Sequence, residues 1–105
     1  MPLRRPDRER DIEAFFVKEA KKLGMLPIKF TSPVQRSLPD RLVLLPKGGV
    51  RFIEFKAPGA KPTPAQAALH ETFRALGHPV DVIDSREGVT DWLAKAIRST
   101  DLLGA

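Results

Sequence analysis

Apolar residues recur at helical spacing from about Arg8 to Leu23, where Ile12, Phe15, Phe16, Ala20 and Leu23 mark one stripe and Gly24 supplies a stop. Met25 to Thr31 reads as a short extended segment with Ile28 and Phe30 on one face, and Thr31 to Pro39 as a polar loop containing two prolines. Arg41-Leu42-Val43-Leu44-Leu45 and Val50-Arg51-Phe52-Ile53-Glu54-Phe55-Lys56 are apolar runs of strand length joined by Pro46-Lys47-Gly48-Gly49. That pattern predicts an antiparallel hairpin. After the Pro/Gly connector 57–62, Thr63-Pro64-Ala65-Gln66 opens a second helix, with Thr at the N-cap and Pro at the first helical position. Its expected apolar stripe is Ala65, Leu69, Phe73 and Leu76, closed by Gly77. Pro79 to Asp84 alternates as a strand, and Ser85 can cap a last helix carrying Val89, Trp92, Leu93, Ala96 and Ile97, with fraying expected after Arg98.

The predicted order is helix, three strands, helix, strand, helix. A helix between the third and fourth strands implies a crossover, most simply right-handed and parallel. The expected fold class is therefore α/β, a mixed four-stranded sheet with helices on its faces. At 105 residues, and with neither an internal repeat nor a low-complexity tract, the chain reads as one domain, 1–105.

Composition narrows the chemistry. The absence of cysteine removes disulfides, thiolate catalysis and cysteine-ligated zinc together. No apolar run approaches the roughly 20 residues needed to cross a bilayer, so no membrane partner is expected. The N-terminus, Met1-Pro2-Leu3-Arg4-Arg5-Pro6-Asp7-Arg8, is basic but lacks the apolar stretch of a signal peptide, and a cytoplasmic setting (a cell or an infected host) is expected. Lys plus Arg number 18 against 13 Asp plus Glu, a net charge of +5 that fits a polyanionic partner, although solubility alone accounts for a charge of that size.

The candidate chemistry lies in the hairpin. Glu54 and Lys56 are two residues apart on one strand and leave the same face, among the apolar Phe52, Ile53 and Phe55. Burying such groups without a partner costs several kcal/mol. Folding at the Gly-Gly turn returns Asp40, just before the other strand, to the same end. Two carboxylates and an ammonium suit metal-assisted phosphodiester hydrolysis: Mg²⁺ takes oxygen ligands, commonly one or two carboxylates plus waters, and a lysine can orient the attacking water or offset transition-state charge. The main-chain carbonyl of Phe55 is a candidate further ligand. The commonplace account of the same residues is a surface Asp and an ordinary Glu–Lys pair.

Register decides between these accounts. If all of Pro46 to Gly49 formed the loop, Asp40 would oppose Phe55 and face away from Glu54. A three-residue loop, Lys47-Gly48-Gly49, would pair Pro46 with Val50 and Asp40 with Lys56, placing Asp40, Glu54 and Lys56 on one face. The chemistry predicts the second register, or a bulge near Asp40 that achieves the same.

Pro39-Asp40 followed by Glu54-Phe55-Lys56 resembles the PD-(D/E)XK nuclease superfamily. The wider string Lys29-Phe30-Thr31-Ser32-Pro33, Pro39-Asp40-Arg41-Leu42-Val43-Leu44-Leu45-Pro46, Glu54-Phe55-Lys56-Ala57-Pro58-Gly59 and Gln66 is similar to its VRR-NUC branch, over about Glu13 to Asp84. The resemblance implies a restriction-endonuclease-like αβββαβ core, with Asp40 and Glu54 as metal ligands and Lys56 as the catalytic lysine. Gln66 would be the glutamine of the following helix, and Glu13 the first-helix acid that supports the metal through water. Many members carry a glycine shortly before the Pro-Asp, where this chain has Ser37-Leu38.

Several residues have two accounts. Gln66 stands three after Thr63 and can simply close a capping box. Glu13 competes with Glu9, one turn earlier, for the supporting role. His70, one turn after Gln66, is expected at the rim rather than as a ligand, and Trp92 in the core. Arg4, Arg5, Arg8, Arg10, Lys29, Arg36 and Arg41 are candidate phosphate contacts. The leading expectation is a Mg²⁺-dependent DNA endonuclease (Mn²⁺ as substitute), selective for branched DNA such as Holliday junctions, with no small-molecule substrate. Small stand-alone members are expected to be homodimers, often phage-encoded, because symmetric cutting needs two sites related by a two-fold axis. The alternative is a non-catalytic nucleic-acid-binding module of the same fold. A third option, a structural subunit, would need a large exposed apolar face that the sequence does not show.

Overall fold

In the computed structural model, which describes residues 5–104, the first amphipathic segment forms α1 (Glu9–Lys22). Ile12, Phe16 and Ala20, each four apart, are its fully buried positions. The Asp11 carboxylate accepts the Arg8 N–H at 2.8 Å to close the N-terminus, and Gly24, at φ +81, ends the helix in a left-handed turn. Arg4 lies outside the described residues.

The sheet runs β1 (Leu26–Lys29), β2 (Arg41–Leu44), β3 (Val50–Phe55) and β4 (Val80–Ile83), in that spatial order. The first two pairings are antiparallel and β3–β4 is parallel, as the intervening α2 (Pro64–Ala75) requires. Helix α3 (Arg86–Gly104) closes the chain. Its N-terminus is capped by the Ser85 hydroxyl, which accepts the Gly88 N–H at 2.9 Å. It continues past Arg98, where fraying was expected.

The hairpin register corrects the expectation. Leu44 pairs with Val50 and Arg41 with Ile53, and the Leu45 N–H reaches the Gly49 carbonyl at 3.0 Å. The loop is thus Pro46-Lys47-Gly48 rather than Lys47-Gly48-Gly49. Proline has no N–H to give a strand pairing, so Pro46 falls in the turn. Lys47 and Gly48 take the left-handed conformations the turn needs, at φ +65 and +102. The loop keeps its length of three, so the register moves by two residues and parity is preserved. Continued one step, it sets Asp40 opposite Glu54 instead of Lys56.

Alternation along the strands divides the side chains between two unequal faces. Val43, Ile53, Phe55 and Ile83 face α1 and α3 and form the main core with Ile12, Phe16, Ala20, Met25, Leu45, Val89, Leu93 and Ala96. Phe16 sits at its centre, 5.4 Å from the Phe55 ring and 5.3 Å from that of Trp92. Trp92 is half-buried against this core, and its indole N–H donates to Asp81 at 2.7 Å.

The second face is thinner. Phe52 packs between Phe30 and Phe73, with ring centroids at 5.7 and 5.2 Å, and this links the sheet to α2. Leu69 and Phe73 are half-buried as expected, but Ala65 and Leu76 are exposed and His70 is buried instead. The buried line of α2 is rotated toward Gln66 and His70. Leu26, Ile28, Leu44 and Val50 on this face stay 37–51 % exposed. Leu26, Leu44 and Val50 form one cross-strand row, and Ile28 stands beside it. An exposed apolar sheet face is therefore present, contrary to the sequence reading. It went unseen because its members come from three separate segments.

Candidate active site

Strand β3 carries Glu54 into the body of the protein and leaves it 2 % exposed, although residues on both sides of it are apolar. Asp40 immediately precedes β2, where the strand has stopped offering main-chain acceptors to β3. Its carboxylate substitutes for one, accepting the Phe55 N–H at 2.7 Å, while its own carbonyl accepts the Phe30 N–H at 3.0 Å. Asp40 is thus fixed at the sheet end through side chain and main chain together. The register and the alternation of β3 place Asp40, Glu54 and Lys56 on the face that α2 overlies.

Helix α2 closes over Glu54 with two side chains one turn apart. The two accounts of Gln66 are compatible, because its amide does both jobs. Its Oε1 accepts the Thr63 N–H at 2.9 Å, its own N–H donates to the Thr63 hydroxyl at 3.1 Å, and its Nε2 donates to Glu54 Oε2 at 3.2 Å. His70, expected at the rim, is 7 % exposed. Its Nε2 stands 3.5 Å from Glu54 Oε1, and these two buried atoms have no hydrogen-bond partner. The signal for His70 was its spacing of four from Gln66, which places both on one helical face.

The electrostatics follow from burial and from the paired carboxylates. Burial, then the Asp40 charge, and a hydrogen bond between the two carboxyl groups push Glu54 up to about 8, against a smaller opposing effect of Lys56. Glu9 is raised by burial and by Asp40, so the first-turn acid of α1 feels the site. His70 is lowered by burial, Lys56 and Arg74.

Glu13 has a different environment. It receives the Arg41 Nε at 2.7 Å and lies 3.5 Å from Lys29 Nζ. Arg41 leaves β2 on the face opposite Asp40 and also donates to the Pro27 carbonyl at 3.2 Å. Glu13 and Arg41 therefore form a strut between α1 and the sheet, and Glu9 is the α1 acid whose charge couples to Asp40, Lys56 and Glu54. Among the candidate phosphate contacts, Lys29 and Arg36 line an open cavity of about 450 Å³ in the β1–β2 loop, together with Phe30, Thr31, Ser32 and Asp40. Arg8 and Arg5 stand at the start of α1, 3.6 and 3.7 Å from Asp11, and Arg10 is exposed.

The site fits a divalent cation. Asp40 and Glu54 are hard oxygen donors held together against their repulsion, and Glu54 Oε1 is a buried acceptor still lacking a partner. Among the described residues no set of three or more His, Asp or Glu side chains converges to hold a metal. An ion here would rest on these two carboxylates, main-chain oxygen such as that of Phe55, and water, the mixture Mg²⁺ prefers.

Comparison with known proteins bears on the family and the fold. A phage protein, "Putative nuclease p44" of Acyrthosiphon pisum secondary endosymbiont phage 1, is 51 % identical over 80 residues, spanning 76 % of this chain and 86 % of that one. A solved structure described as a VRR_NUC domain superposes with a TM-score of 0.76 at 32 % identity, covering 82 % of this chain and 94 % of its own. The chain belongs to the VRR-NUC nuclease family. No sequence model of a protein family matches it. In this VRR-NUC protein the position of the glycine that many members carry before Pro-Asp is informative, because Ser37 there has φ +66. That left-handed conformation is one glycine adopts without cost.

Proposed function

We propose that this VRR-NUC protein is a Mg²⁺-dependent DNA endonuclease, with Mn²⁺ able to substitute, selective for branched DNA such as Holliday junctions. The observation that carries the reading is Glu54: a buried carboxylate opposite a second carboxylate, with one oxygen unpartnered. A protein that only bound a polyanion would gain nothing from burying that pair, which weighs against the binding-module alternative.

Asp40 and Glu54 would hold the cation, with the Phe55 carbonyl as a further ligand. Bound there, Mg²⁺ would neutralise phosphate charge and lower the pKa of an attacking water. Lys56 supplies a positive charge on the same face, suited to orienting that water and offsetting charge on the phosphate. Gln66 fixes the Glu54 rotamer. For the water-mediated supporting role, the engagement of Glu13 by Arg41 and the electrostatic coupling of Glu9 to Asp40 favour Glu9. Lys29 and Arg36 are the best placed phosphate contacts, since their cavity opens beside Asp40; Arg8 adds charge at the start of α1, and Arg41 serves the strut with Glu13.

A homodimer suits a junction substrate, whose two strands must be cut symmetrically. The exposed row Leu26, Leu44 and Val50, with Ile28, is an apolar surface that a second copy would cover. No helix among the described residues is long and apolar enough to cross a membrane, and the cytoplasm of a bacterial or phage-infected cell is the setting such a substrate implies.

The test is Asp40→Asn, assayed in pairs: cleavage of four-way junction, flap, single strand and duplex with Mg²⁺, and affinity for a branched DNA in chelator. Asparagine keeps an oxygen for the Phe55 N–H but removes the charge. Cleavage should fall by orders of magnitude, while binding without metal holds or tightens. Cutting by Asp40→Asn at the wild-type rate would defeat the assignment.

A further inference from the structure

Two unsatisfied buried polar atoms among the described residues call for a reason, and here they face each other. Glu54 Oε1 and His70 Nε2 are 3.5 Å apart and without partners, a few tenths of an ångström beyond hydrogen-bond distance. The other oxygen of the same carboxylate is already held by Gln66. Gln66 and His70 are one turn apart on α2, so a single rigid element presents a donor to each Glu54 oxygen. His70 is 7 % exposed, and the recorded contact of its Nε2 is with Glu54, so the contact itself points to a polar role for the imidazole.

We propose that His70 is a positioning residue for the metal ligand Glu54: its Nε2–H holds Oε1 while Gln66 holds Oε2, so the carboxylate is presented to the cation in one orientation. A carboxylate oxygen has room for more than one partner, so a donor on each still leaves lone pairs for the cation. Locking a ligand this way removes the rotamer freedom that metal binding would otherwise have to freeze, and outer partners of this kind commonly govern metal affinity. The assignment rests on the metal-site reading above.

The experiment measures Mn²⁺ uptake by the full chain without DNA, by calorimetry and by the loss of free-ion paramagnetic resonance signal. Wild type, Asp40→Asn, His70→Leu and His70→Gln are compared. His70→Leu should weaken Mn²⁺ binding by roughly 10- to 100-fold, without lowering the thermal midpoint in chelator or the affinity for branched DNA in chelator. His70→Gln, whose amide nitrogen reaches the place of Nε2, should recover most of the loss. His70→Asn, which keeps a polar group but is too short, should bind as weakly as His70→Leu and serves in its place if the leucine variant does not fold. Wild-type affinity in His70→Leu, or equal weakness in His70→Leu and His70→Gln, would overturn the proposal. If Asp40→Asn abolishes uptake while His70→Leu does not, only the role of His70 fails. If the wild-type protein takes up no Mn²⁺, the metal site itself fails and this proposal with it.

Discussion

The buried carboxylate makes stability in chelator depend on pH in an unusual direction. Glu54 is raised from 4.5 to about 8 by burial and by the Asp40 charge. Between those values the folded protein keeps a proton that the unfolded chain has released, so unfolding releases it and stability falls as pH rises. His70 acts oppositely: its lowered pKa makes the unfolded chain the better proton binder, so it adds stability as pH rises, but only up to its unfolded value near 6.5. From pH 6.5 to 8 the Glu54 effect dominates, because the unfolded imidazole is by then shedding the last of its proton. At no more than 1.36 kcal/mol per pH unit, flattening near the pKa and partly offset at the low end by His70, the net loss should be about 1–2 kcal/mol. For a domain of this size that is a fall of ~6 °C in thermal midpoint. The assay is urea and thermal unfolding in chelator across pH 6.5, 7, 7.5 and 8. Glu54→Gln should abolish the slope, and Asp40→Asn should reduce it, because the burial effect persists. Mg²⁺ at pH 8 should restore stability by binding the folded state alone. A wild-type midpoint that stays flat from pH 6.5 to 8, or an equal slope in Glu54→Gln, would refute the reasoning.

Three further outcomes follow from particular contacts. Glu13→Gln should cost about 1–3 kcal/mol in urea unfolding, because it weakens the half-buried strut to Arg41, yet leave Mn²⁺ uptake unchanged; Glu9→Gln should instead reduce uptake. The reverse pattern would return the supporting role to Glu13. Phe16→Ala, at the centre of the main core, should cost about 3–5 kcal/mol, read from the urea midpoint, and a loss under 1 kcal/mol would mean the core can collapse around the gap. Ser37→Gly should be neutral or stabilising, whereas Ser37→Val should cost about 1–2 kcal/mol because of its φ of +66; equal midpoints for the two would show that the loop relaxes out of that conformation.

Periodicity, breakers and caps determined the order of elements here because each is a local property. The Ile12/Phe16/Ala20 spacing, the Thr63-Pro64 helix start, the Ser85 cap and the two strands around the Gly-Gly turn act over a few residues. Residue types at fixed spacing likewise brought Asp40, Glu54 and Lys56 to notice, since a carboxylate and an ammonium in an apolar strand require an explanation wherever they sit. Parity carried the hairpin argument even though the loop was misplaced by one residue, because a shift of two leaves every side chain on its face. The tertiary structure decided what depends on the approach of distant segments. The packing angle of α2 turned His70 inward and Ala65 and Leu76 outward; the apolar pattern alone does not distinguish those positions, and only the spacing of His70 from Gln66 pointed to its face. Glu13 pairs with Arg41, 28 residues away, while Glu9 feels Asp40, a choice set by where α1 crosses the sheet. The exposed row Leu26, Leu44 and Val50 exists only because three strands align it. Burial is a property of the assembled sheet and helices, and it is burial that raises Glu54 and leaves its oxygen facing His70.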